Sequence, residues 1–109
     1  MKKIYDKLVR DKIPEIITKS GRKANYRILN DAEYKRYLFK KLLEEVIEVV
    51  YAQTDDEQLD ELADVEEVLE AIYKTNNGYS SLATRKNRKK LERGGFDKRY
   101  YLESVEEIL

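Results

Sequence analysis

Lys41-Leu-Leu-Glu-Glu-Val-Ile-Glu48, followed after a spacer by Asp60-Glu-Leu-Ala-Asp64, decides how this chain is read. Each segment carries a pair of carboxylates three residues apart, Glu45 with Glu48 and Glu61 with Asp64. On a helix, residues at that spacing share a face. Two such helices packed side by side aim four carboxylates at one point. Four converging carboxylates do not all stay ionised in a partly dry cleft without a cation. The expected site is therefore an oxygen-ligand centre for a hard divalent metal, Mg²⁺ first, with Mn²⁺ as the alternative.

The surrounding sequence supports the two helices. Asn30 followed by Glu33 resembles a capping box with Asn in place of Ser or Thr. From Asp31 to about Gln53 nothing breaks a helix, and Leu38, Leu42, Leu43, Val46, Val49 and Val50 recur at helical spacing. Thr54-Asp-Asp-Glu57 reads as a stop and restart, in which Thr54 caps and Glu57 reciprocates. The second long helix is expected from Asp55 to Lys74, ended by Asn76-Asn-Gly78. The connection is short, so the two helices should be antiparallel neighbours.

Upstream, Pro14 suits a first helical turn, and Ile13, Ile16 and Ile17 form a short apolar stripe ahead of Gly21, which predicts a helix over 13–20. Residues 22–30 alternate in part and fit either an extended connector or one short edge strand. Downstream, Ser80 or Ser81 is expected to cap a shorter helix over 81–93. It is strongly basic, with Arg85, Lys86, Arg88, Lys89, Lys90 and Arg93, and Gly94-Gly95 ends it. Phe96 to Leu102 should run extended, and Ser104 to Leu109 should make a last helical turn. The fold class is all-α: an antiparallel helical bundle of two long acidic helices and a shorter basic one, in a single domain over 1–109.

Helical-wheel placement separates the unusual acids from the ordinary ones. At about 100° per residue from Glu61, Leu62, Val65, Val68, Leu69 and Ile72 fall between roughly −20° and +100°. Glu61 lies inside that arc, where a solvated glutamate does not belong, and Asp64 lies at its border. On the preceding helix Glu45 sits at the edge of the apolar arc, Glu48 about 60° further out, and Glu44 further round again. Glu67 and Asp60 point away from the apolar arc, as solvated acids do. A buried carboxylate without a partner costs several kcal/mol or takes up a proton. A shared cation removes that problem; so does a Lys or Arg, and Lys41 lies on the Glu45/Glu48 face. A charge run on a helix is also the ordinary pattern of a solvated face.

Composition narrows the chemistry. The 109 residues are 40% charged with zero formal net charge, which argues against a polyanion binder, and there is no Cys and no His. Zinc sites with N/S ligands, disulfides, thiol nucleophiles and histidine acid–base catalysis are thereby excluded. No apolar run approaches transmembrane length, and the start, Met1-Lys-Lys-Ile-Tyr-Asp6, lacks a secretory apolar stretch, so a cytoplasmic protein without a membrane partner is expected.

The array Glu44-Glu45-Val-Ile-Glu48, followed by Glu61-Leu-Ala-Asp64, resembles the E-E-x-x-E…E-x-x-D signature of the MazG-like all-α nucleoside triphosphate pyrophosphohydrolases. That superfamily includes dimeric dUTPases and phosphoribosyl-ATP pyrophosphohydrolase. Tyr5-Asp-Lys-Leu-Val-Arg-Asp-Lys-Ile-Pro14 and Arg93-Gly-Gly-Phe96 resemble a small-protein branch often labelled phosphoribosyl-ATP pyrophosphohydrolase-like. The resemblance implies hydrolysis between the α and β phosphates, giving a monophosphate and pyrophosphate. It implies Mg²⁺ held by Glu45, Glu48, Glu61 and Asp64. Glu44 fills the signature's first position, and its wheel angle suggests that it supports the ligands or positions water rather than being a primary ligand. A carboxylate not fully committed to metal, with Glu44 and Glu45 the candidates, would accept the proton of the attacking water. It also implies a homodimer or a homotetramer built as a dimer of dimers, with the four-helix core completed across the interface. Two long helices and one short one give a thin core for a monomer, which points the same way.

Lys86, Lys90 and Arg93 fall on one face of the basic helix and are candidate triphosphate contacts, or else simply a solvated face. Arg10, Asp11 and Lys12 either close over the nucleotide or form surface salt bridges, the second being slightly favoured. The chain departs from several MazG-type enzymes in having no Trp before the first acidic helix; Tyr26, Tyr34 and Tyr37 stand there instead, so base recognition does not carry over. The alternatives to a nucleotide-pool housekeeping enzyme are phosphoribosyl-ATP hydrolysis in histidine synthesis and a non-catalytic helical binding module. Nucleic-acid binding through the basic helix is disfavoured by net neutrality.

Overall fold

The computed structural model describes residues 1–108. It is all-helical, with four helices and no strand among the described residues: α1 (Ile13–Lys19), α2 (Asp31–Tyr51), α3 (Asp55–Lys74) and α4 (Tyr79–Arg93). The chain divides into two compact units, Met1–Asn76 and Asn77–Leu109.

In the first unit α1 starts at Ile13 with Pro14 in its first turn, and the chain turns away where Gly21 adopts φ +84°. That left-handed turn lets the Gly21 N–H reach the Thr18 carbonyl at 3.0 Å and the Arg22 N–H reach Ile17 at 3.4 Å, satisfying carbonyls the helix leaves open. Residues 22–30 form the extended connector of the two options, with no strand pairing. Their backbone is tied instead through Arg27, whose guanidinium grips Glu33 with two hydrogen bonds of 3.1 and 2.7 Å. Glu33 is thereby diverted from the capping box; Asn30 still caps α2, its Oδ1 accepting from the Glu33 N–H at 2.9 Å.

The turn between α2 and α3 is built as the sequence predicts, with one shift. Thr54 Oγ1 accepts from the Glu57 N–H at 3.1 Å, but the Glu57 carboxylate reaches back past Thr54 to the Gln53 N–H at 2.9 Å. That bond takes Gln53 out of α2, which ends at Tyr51. The three residues 52–54 reverse the chain, so α2 and α3 pack on each other as a hairpin.

The hairpin seam is narrower than the apolar stripes. Among the described residues Leu38 on α2 and Val68 on α3 are buried, and the third buried side chain is a charged one, Glu45. Leu42 and Val49 half-cover the same side of α2, whereas Phe39, Leu43, Val46 and Val50 remain exposed one sector further round.

In the second unit α4 begins at Tyr79, two residues before the expected start. Neither Ser80 nor Ser81 caps it: Gly78 occupies the cap position, and the Ser81 hydroxyl donates to the Gly78 carbonyl at 2.7 Å. Gly94, at φ +83°, ends the helix with its N–H on the Lys90 carbonyl at 2.8 Å. The helical turn expected over Ser104–Leu109 is not formed at residues 104–108, and Leu109 lies outside the described residues. Val105 and Ile108 are exposed there, so no burial offsets the cost of helix nucleation.

Among the described residues, no helix is long and apolar enough to cross a membrane.

Candidate metal centre

The hairpin brings the acids of the two segments together because Glu45 and Glu61 stand equally far from Gln53 along the chain. Glu45, Glu61 and Asp64 each offer an oxygen within 4.8 Å of the other two, and so do Glu44, Glu45 and Glu48. The two triads overlap at Glu45. Every candidate carboxylate read from the sequence therefore belongs to one cluster on one edge of the α2–α3 pair.

Burial within the cluster is uneven. Glu45 is 5% exposed, Glu44, Glu61 and Asp64 are half-buried, and Glu48 is exposed. The wheel put Glu45 only at the edge of the apolar arc. The packing of α3 onto the Leu38–Glu45 side turns that edge into the seam.

Lys41 is the cation that supports the α2 side, with Nζ 3.3 Å from Glu45 Oε1 and 3.6 Å from Glu44 Oε1. Lys7 Nζ approaches the same Glu44 oxygen at 3.9 Å. On the α3 side Arg10 Nη2 donates to Asp64 Oδ1 at 2.6 Å. These cations leave the centre of the cluster untouched. Glu45 Oε2 and Glu61 Oε2 are both buried without a hydrogen-bond partner.

The electrostatic consequence is a raised proton affinity. Burial first, and then the Glu48 carboxylate, push the Glu45 pKa above its ordinary value against the pull of Lys41. The Glu61 carboxylate first, and then burial, push Glu48 up. For both carboxylates the direction is upward.

The donor set fits a hard cation. All donors are carboxylate oxygens, two of the clustered residues, Glu45 and Glu61, carry a buried oxygen without a hydrogen-bond partner, and an oxygen-only set is what Mg²⁺ and Mn²⁺ take. Two buried acceptors with no donor cost stability that a bound cation would return.

The candidate phosphate contacts lie elsewhere in the chain. Lys86, Lys90 and Arg93 are exposed on α4 of the second unit. Of the Arg10-Asp11-Lys12 stretch, Arg10 forms the ion pair just described. Lys7 was not singled out from the sequence, and its contact with Glu44 joins residues too far apart for any local spacing rule to reveal. An open cleft of about 390 Å³ runs along α1, lined by Asp11, Pro14, Glu15, Thr18, Lys19 and Tyr26, and none of the five clustered carboxylates lines it.

Comparison with known proteins adds one relative: an uncharacterised protein of Mycolicibacterium smegmatis is 51% identical over 53 residues. The match covers 49% of this chain and 54% of the relative, so the chain spans about half the length of the curated relative it matches. No family model and no solved structure matches the chain.

Proposed function

We propose that this chain is a Mg²⁺-dependent nucleoside triphosphate pyrophosphohydrolase that cleaves the α–β anhydride, releasing a nucleoside monophosphate and pyrophosphate, in cytoplasmic housekeeping of the nucleotide pool. The observation that carries the reading is the pair of buried, partnerless oxygens, Glu45 Oε2 and Glu61 Oε2, inside two carboxylate triads that share Glu45. The resemblance to the MazG-like signature names the substrate class; the cluster supplies the chemistry that class needs.

Glu45, Glu48, Glu61 and Asp64 would hold the cation. When bound, Mg²⁺ supplies the charge neutralisation on which phosphoryl chemistry depends. Glu45 is also the candidate proton acceptor, through whichever of its oxygens is not committed to the cation. Glu44, half-buried at the rim and held by Lys41, orients the attacking water toward the phosphorus. The proton leaves the water for the carboxylate as the new P–O bond forms and the bridging oxygen departs with its phosphate. Lys86, Lys90 and Arg93 are proposed as phosphate contacts on the strength of the resemblance and of their common helix face.

Self-association into a dimer or tetramer belongs to the same proposal. Its support is the exposed stripe of Phe39, Leu43, Val46 and Val50, which lies on the flank of α2 away from the acids.

Incubation of the protein with Mg²⁺ and a panel of standard, deoxy and modified nucleoside triphosphates, with phosphoribosyl-ATP included, tests the reaction. Pyrophosphate release that requires Mg²⁺ and falls at least about a hundredfold in Glu61→Gln is expected. Orthophosphate release would place the cleavage at a different bond. No turnover, with thermal stability indifferent to Mg²⁺, would leave the helical binding module as the better reading.

A further inference from the structure

The segment ahead of α1 lies across the acidic edge of the hairpin. Asp6 turns it with φ +45°, a left-handed conformation unfavourable for a residue with a side chain. Beyond that turn two cations three residues apart reach different helices: Lys7 approaches Glu44 of α2, and Arg10 binds Asp64 of α3, a partner 54 residues away. The segment thus spans the mouth of the cluster whose inner oxygens, on Glu45 and Glu61, have no partner.

As a fastener the Arg10–Asp64 pair is weak. Both side chains are substantially exposed, at 56% and 38%, and solvent-screened pairs of that kind contribute little to stability. It is a contact that exchanges at little cost. A divalent cation on Asp64 would repel the guanidinium beside it, unless an anion lies between them. A phosphate oxygen pair is the anion that matches a guanidinium fork.

We propose that Arg10 is a substrate-binding residue for the polyphosphate of a metal–nucleotide complex: it rests on Asp64 while the centre holds no cation and passes to the phosphates when metal and substrate arrive together, with Lys7 as the second cation of the same strap. The proposal rests on the metal-centre reading above and assigns to that centre a phosphate-binding partner from its own unit of the chain.

The strap makes two effects of opposite sign. Without Arg10, Mg²⁺ alone meets one competing positive charge fewer, and a polyphosphate loses a charge-assisted contact. Calorimetric titration of wild type and Arg10→Ala, first with Mg²⁺ and then with inorganic pyrophosphate at saturating Mg²⁺, reads both. In the variant Mg²⁺ should bind about threefold tighter or more, and pyrophosphate about tenfold weaker or more. Shifts in the same direction would mean that Arg10 merely props the fold, and unchanged pyrophosphate affinity would overturn the proposal outright. Arg10→Lys keeps the charge and removes the fork, so it answers the same question if the alanine variant unfolds: a several-fold loss of pyrophosphate affinity is expected, and none overturns the proposal. Wild-type protein that binds no Mg²⁺ would instead refute the metal centre itself, and the assignment of Arg10 with it. Wild type that binds Mg²⁺ beside a variant unchanged toward pyrophosphate refutes the Arg10 assignment alone.

Discussion

Glu45 is a charged side chain 5% exposed that gives one oxygen to Lys41 and leaves the other buried and unpaired. Its pKa and that of Glu48 are raised in the folded chain. A raised carboxylate pKa means that the folded state binds protons more readily than the unfolded one between the ordinary value of 4.5 and the raised value. In that window stability falls as pH rises. Glu33 works the other way, because Arg27 lowers its pKa, but its contribution is lost only as pH falls through a value below 4.5, outside the window. Metal-free protein should therefore show a higher Tm at mildly acidic pH than at pH 7, and Mg²⁺ should reverse the order, since it binds the ionised carboxylates. Glu45→Gln should flatten the pH dependence, raise metal-free stability at pH 7 by about 1 kcal/mol and abolish the Mg²⁺ response. Melting curves of both proteins against pH, with Mg²⁺ and with a chelator, check all three; a wild-type Tm that rises with pH in the absence of metal would contradict the account.

At the scale of elements, the α2–α3 hairpin matters because its turn sets which residues face each other. Thr54 and Glu57 hold that turn reciprocally, one as acceptor for the Glu57 N–H and the other as acceptor for the Gln53 N–H. Thr54→Ala should cost about 1 kcal/mol, the usual loss of a helix cap, read as a lower urea midpoint at unchanged m-value. An unchanged midpoint would show that packing alone holds the turn. α2 itself has three sectors: a flank with Glu44 and Glu48, the seam of Leu38 and Glu45, and an outer stripe of Phe39, Leu43, Val46 and Val50. Of these sectors α3 covers the seam, and the outer apolar stripe stays exposed.

At the scale of the whole molecule, the described core has two buried apolar side chains, Leu38 and Val68. That is little to set against the conformational entropy of a chain of 109 residues. The self-association proposed above would cover the outer stripe and add burial. Sedimentation should show wild type as a dimer or larger, and Leu43→Glu, a charge placed in the stripe on the flank away from the carboxylates, should shift it to monomer and lower its Tm. Wild type that sediments as a monomer at micromolar concentration would leave the stripe without that role.

Several features were legible in the residues alone because they depend on local rules. The caps at Asn30 and Thr54, the ends at Gly21 and Gly94, the four helices and the pairing of carboxylates three apart follow from backbone chemistry within a few positions. The start of α4 was missed because Ser81 turned its hydroxyl to the Gly78 carbonyl, a competing local bond that the sequence does not rank. Only the tertiary structure decided the rest. It chose which flank of α2 faces α3, and so carried Glu45 from the edge of the apolar arc into the buried seam while Glu48, further round, stayed exposed. It also laid Lys7 and Arg10 over Glu44 and Asp64. Spacing along a helix fixes angles about its own axis, whereas the direction that becomes interior depends on which neighbour packs there, and contacts between residues 54 apart obey no period at all.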